Sequence, residues 1–139
     1  MERADVAMIR RDLQIGRWNV EFYFCPDGYD IRAIIGRMFH YDAPEEKMMR
    51  ALDLMENGGP DKGFTFSNPF ERVAMVVIGP TSDGSEFLDS IVHELHHLAV
   101  HIASSLGIDL KGESPAYMAG DSARDLADVI CMLGCRRCS

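Results

Sequence analysis

Four of the five histidines in this 139-residue chain fall between His93 and His101, and the run Val92-His93-Glu94-Leu95-His96-His97-Leu98 contains the spacing His-Glu-x-x-His. Side chains four apart project from one face of a helix, so His93 and His97 can reach the same cation. Nitrogen to zinc distances would be roughly 2.0–2.1 Å. Glu94 lies about 100 degrees further round and borders such an ion without ligating it. A carboxylate there is placed to take a proton from metal-bound water, whose pKa zinc lowers to about 7. The expected chemistry is hydrolysis by zinc-activated water, with Glu94 as the base and Zn2+ as the cofactor.

Catalytic zinc generally takes three protein ligands and keeps one position open. The downstream candidates for the third are His101, Asp109, Glu113 and Asp121. His101 continues the spacing of four, but helical rise separates it from His93 by about 12 Å, too far for one ion. His96 points off the face of the pair. Asp109 sits near the distal end of the long helix. Glu113 follows a glycine-bounded turn and opens a second helix, which can fold back beside the first, so it is the expected third ligand. Asp121 is the fallback, or an acceptor for a ligand imidazole. Tyr117, one turn beyond Glu113, could donate to an oxyanion, with core packing as the alternative account. The bland readings are an HExxH helix that binds no metal and a Glu113 that serves only as a first-turn acid at a helix N-terminus.

The elements that must position these residues can be read from periodicity. Trp18, Val20, Phe22 and Phe24 alternate with Asn19, Glu21 and Tyr23, a strand over 18–25 that Pro26-Asp27-Gly28 ends. Residues 1–19 are mixed in pattern up to that strand. Ile31, Ile34, Ile35, Met38 and Phe39 form a helical stripe, with Asp30 as its cap. Asp42-Ala43-Pro44-Glu45 opens a second helix carrying Met48, Ala51, Leu52 and Met55, ended by Gly58-Gly59-Pro60. Brief alternation over 64–68 precedes the strongest strand signal, 72–78. Should that strand form a sheet edge, an extended peptide could pair with it.

Asp83 and Glu86 have capping-box spacing before a helix of about 84–106 that carries the histidines and ends at Gly107. Ser114-Pro115 opens a last helix running through Leu133. The sum is an α+β chain, with a short β-sheet and a long HExxH helix packed against a C-terminal helix. The whole of 1–139 reads as a single domain.

With 22 acidic residues against 14 Lys plus Arg, the formal charge is -8 and repels a phosphate backbone, so nucleic acid is not an expected partner. No run of 18 apolar residues is present, and the mixed charges of Met1-Glu2-Arg3-Ala4-Asp5 do not resemble a secretory leader, which points to the cytoplasm and away from membranes. Cys25, Cys131, Cys135 and Cys138 read as thiols, Cys135 and Cys138 having the gap of half a zinc knuckle. The methionines fall on apolar faces as core fillers. The expected partner is a peptide or protein substrate. Oligomeric state is not encoded in any of these patterns.

His93-Glu94-Leu95-His96-His97 followed by Glu113-Ser114-Pro115-Ala116-Tyr117 resembles the zincin metallopeptidases, and within them the small gluzincin-like group whose third ligand is a glutamate on a following helix. Glu113-x-x-Ala116-Tyr117-x-x-Gly120 is similar to a pattern in compact peptidase-like proteins of phages and mobile elements. The resemblance implies zinc on His93, His97 and Glu113, with Glu94 activating water. The Asn-Glu-x-x-x-Asp pattern of larger thermolysin-like enzymes is absent, since Gly112 precedes Glu113 and Tyr117 takes the place of the acid. Two other function classes stay open. One is a structural or interaction protein, of a phage or mobile element, in which turnover is reduced or lost. The other is a nonpeptidase metal hydrolase or an iron or manganese site, which two histidines and a carboxylate also suit.

Overall fold

The computed structural model describes residues 8–57 and 63–138, with side chains through residue 134. In chain order the elements are β1 Ile9–Ile15, β2 Trp18–Phe24, α1 Gly28–His40, α2 Glu45–Asn57, β3 Gly63–Asn68, β4 Val73–Ile78, α3 Gly84–Ser105, α4 Glu113–Asp125 and α5 Ala127–Cys138. The architecture is α+β, a short mixed sheet with several helices. Sheet order is β1-β2-β4-β3, antiparallel at both outer pairs and parallel between β2 and β4. Among the described residues no helix is long and apolar enough to cross a membrane.

β2 carries the period-two pattern of its sequence. Val20, Phe22 and Phe24 stand beside Ala74, Val76 and Ile78 of β4 and face one core, while Tyr23 beside Val77 faces the other. The first core lies under α3 and α5 and contains Phe87, Ile91, Leu98, Ile102, Leu126 and Leu133. Burying each such side chain contributes roughly 1.5–3 kcal/mol. The second lies under α1 and α2 and gathers Ile34, Met38, Ala51 and Met55 against Phe66 and Met75. With apolar layers on both faces, all six residues of β4 are buried, which explains its unbroken apolar run.

Three expectations change. β4 is interior, hydrogen-bonded to β2 on one side and β3 on the other, so the sheet edge next to the histidine helix is β3. β1 went unread because Arg10-Arg11-Asp12 masks an alternation of half-buried and exposed residues. Arg11 lies on the half-buried side, where its guanidinium donates to Asp128 at 2.9 Å. The turn from β1 to β2 places Gly16 at φ +61°, a conformation glycine adopts without steric cost. Finally, the last helix is two, divided at Leu126, whose N–H bonds back to Ser122 and Ala123 carbonyls. No glycine or proline announces that break, and the apolar stripe runs through it.

Helix starts follow local chemistry closely. Asp27, not Asp30, caps α1, and Asp30 returns a bond to the Asp27 backbone, completing a capping box. Asp83 accepts from Glu86 N at 2.8 Å to start α3, as its spacing predicts. The expected stop at Gly58-Gly59-Pro60 lies outside the described residues, as do the side chains of Cys135 and Cys138.

Candidate functional site

Past β3 no described strand continues the sheet, and α2 and α3 stand on either side of its edge. They enclose a groove of about 260 Å³ with β3 as its floor. Lys47, Arg50 and Leu54 of α2 form one wall, at helical spacing on a single face. His93, His97 and His101 of α3 form the other, also at helical spacing.

The two motif histidines are brought together as their spacing predicts. Their Nε2 atoms are 3.0 Å apart and the rings meet edge to face, centroids 4.6 Å apart. Both are exposed, because the apolar stripe of α3 through Leu95, Leu98 and Ile102 turns them away from the core. Glu94 is different: it is 4% exposed and its Oε1 accepts from Thr65 Oγ1 at 2.6 Å. One rung further along, Ser67 Oγ meets His101 Nδ1 at 2.9 Å. Thr65 and Ser67 thus pin the edge strand to α3 through alternate side chains, while Phe64 and Phe66 point to the opposite core. Gly63 completes the floor, since a Cβ there would stand 3.0 Å from Glu94 Cγ and 2.8 Å from the Val77 carbonyl oxygen.

Electrostatically the groove runs against the rest of the chain. Burial lowers the pKa of His101, and the neighbouring charges of His97 and Lys47 lower it further, so this imidazole is held toward its neutral form. Glu94 is the one carboxylate among the described lining residues. Lys47 and Arg50 are exposed and make no ion pair among the described residues.

Glu113 and Tyr117 do not line this groove. α4 buries Pro115 and Ser122, and the stripe of Glu113, Tyr117 and Asp121 faces solvent, Tyr117 being 65% exposed. Asp121 pairs with Arg124 at 3.5 Å, and Asp109 accepts from the Lys111 amide. Among the described residues no three of His, Cys, Asp and Glu converge where an ion could be held. This corrects the expectation of Zn2+ on His93, His97 and Glu113. It also corrects zinc-dependent peptide hydrolysis, because two imidazoles without a third donor do not make the three-ligand site that catalytic zinc requires.

No family model, no curated protein and no solved structure matches this chain. The likeness to zincin metallopeptidases therefore reduces to a five-residue motif whose partner ligand is not gathered to it, and the gluzincin-like assignment is corrected with the metal.

Periodicity alone did not reveal Thr65, Ser67, Lys47 and Arg50 as site residues. The alternation Phe64-Thr65-Phe66-Ser67 carried the signal for the first two, a strand with one apolar and one hydroxyl face. A second polar cluster was also legible only in retrospect. Glu21, an acid inside an aromatic strand and 6% exposed, accepts from the Arg37 guanidinium through both oxygens and from the Tyr23 and Tyr41 hydroxyls. Burial alone would raise its pKa, but the hydrogen bonds from Arg37, Tyr23 and Tyr41 outweigh it and lower the value. This cluster ties α1 to the sheet.

Proposed function

We propose that the chain is an interaction protein that takes an extended polypeptide segment as an added strand along β3, without turning it over. One observation carries the reading: β3 is floor to a groove between two helical walls, and no described strand pairs with its outer side. An edge strand presents a row of outward N–H and C=O groups, and a peptide laid beside it satisfies them by main-chain bonds. The polar rungs from Thr65 and Ser67 to α3 favour this use, because they hold β3 in a fixed register before any partner arrives. His93 and His97, exposed on the rim, are then contacts for the partner's side chains.

The test is hydrogen exchange of the whole chain with an array of extended decapeptides. Expected is slowed exchange at the Phe64–Ser67 amides with those peptides that bind, and loss of binding when alternate peptide nitrogens are methylated. Binding that leaves β3 exchange unchanged, or that ignores N-methylation, overturns the reading.

A further inference from the structure

We propose that the segment received in the β3 groove is acidic, an extended peptide with Asp or Glu side chains directed at the α2 wall. This rests on the strand-addition reading and adds the chemistry of the occupant. The chain carries a formal charge of -8, so a randomly chosen surface would be negative. The groove instead presents Lys47 and Arg50 on one wall and a row of imidazoles on the other. Its only described carboxylate, Glu94, is buried and engaged by Thr65.

Three features make the charges usable. Lys47 and Arg50 lie three residues apart on α2, hence on one side of the helix. Neither is neutralised by an ion pair among the described residues. Along a strand, every second side chain points to the same side, about 6.6–6.8 Å apart, so a peptide on β3 sends alternate residues toward α2. Carboxylates at those positions would meet an ammonium and a guanidinium that can bond a carboxylate through two N–H groups. Residues on the other side would meet the imidazoles.

Charge of this kind sets partner choice more than raw affinity. The long-range field of the chain opposes an extended polyanion such as nucleic acid, whereas a short acidic segment feels mainly the groove, since screening confines interactions to about 8–10 Å at ordinary salt.

The experiment is fluorescence anisotropy on the full chain with labelled decapeptides of one backbone pattern. One carries Glu at alternate positions, one Gln and one Lys, and a single-stranded DNA oligonucleotide is added as competitor. Binding of the Glu peptide about tenfold tighter than the Gln peptide is expected. The double substitution Lys47→Gln with Arg50→Gln should remove that preference, bringing the Glu and Gln peptides to equal affinity, and thermal unfolding of the variant checks that it is folded. Equal binding of Glu and Gln peptides, with β3 amides still protected, overturns the acidic preference and leaves strand addition standing. Absence of β3 protection with every peptide overturns the strand reading itself. Displacement of the Glu peptide by the oligonucleotide at comparable concentration also overturns the proposal, since the groove would then recognise polyanions in general.

Discussion

Thr65 Oγ1 donates to Glu94 Oε1 across 2.6 Å, joining the edge strand to the histidine helix by a bond from a half-buried hydroxyl to a buried carboxyl group. Replacing Thr65 with Val keeps the volume and removes the donor, leaving a buried carboxyl group short of a partner. The expected loss is about 1–3 kcal/mol. Glu94→Gln retains an acceptor and should lose less. Urea denaturation of the two variants checks the order, and equal losses would show that the bond is not what holds Glu94.

Gly63 has no room for a side chain. An added Cβ would lie 2.8 Å from both the Val77 carbonyl oxygen and Ile78 Cδ1, and backbone cannot move aside as a side chain can. Gly63→Ala should therefore displace the start of β3 and destabilise by about 1–3 kcal/mol. Exchange of the β3 amides would rise more than that of β2, which is the local signature to look for.

The spacing of four placed His93 and His97 together, and the apolar stripe placed α3, because both follow from helical geometry alone. Glu113 lies apart from them for a tertiary reason: α4 turns its Pro115 and Ser122 face to the core, and the residues one stripe round point outward. Which stripe of a helix is buried depends on where it docks, and no local pattern states that. The strand at 73–78 was legible as strand from its β-branched run, but its interior position depends on β3 pairing beyond it. The same pairing made 63–68 the edge. β1 was hidden by charges that its partners on other elements make tolerable.

Acid should weaken the fold through Glu21. Its carboxyl group has a lowered pKa when folded, so its stabilisation is present above the ordinary glutamate range near 4.3 and is lost as pH falls below it. In Arg37→Met the buried carboxylate loses its bidentate partner, and about 2–4 kcal/mol should disappear at pH 7. At pH 3 the difference between the two proteins should shrink. Denaturation midpoints at both pH values measure it, and a constant difference would show that Arg37 acts by packing alone.

His101 sets a second, milder dependence. Burial comes first among the causes that lower its folded pKa, ahead of His97 and Lys47. Above the unfolded value near 6.5 both states are neutral there, and as pH drops through it only the unfolded chain takes the proton readily. Stability should thus decline from about pH 7 downward until the folded pKa is passed. A ring carbon NMR titration should find His101 below the ordinary histidine value, and a midpoint at or above about 6.5 contradicts the burial seen here.

A strand with no described strand on its outer side can also pair with a second copy of itself. Two molecules meeting edge to edge along β3 would bring Lys47 and Arg50 of each toward the same cations of the other, and that repulsion stands in the way of a continuous sheet. Salt weakens it. Pairing of two copies through this edge should therefore grow as ionic strength rises, so that low salt keeps β3 free for longer.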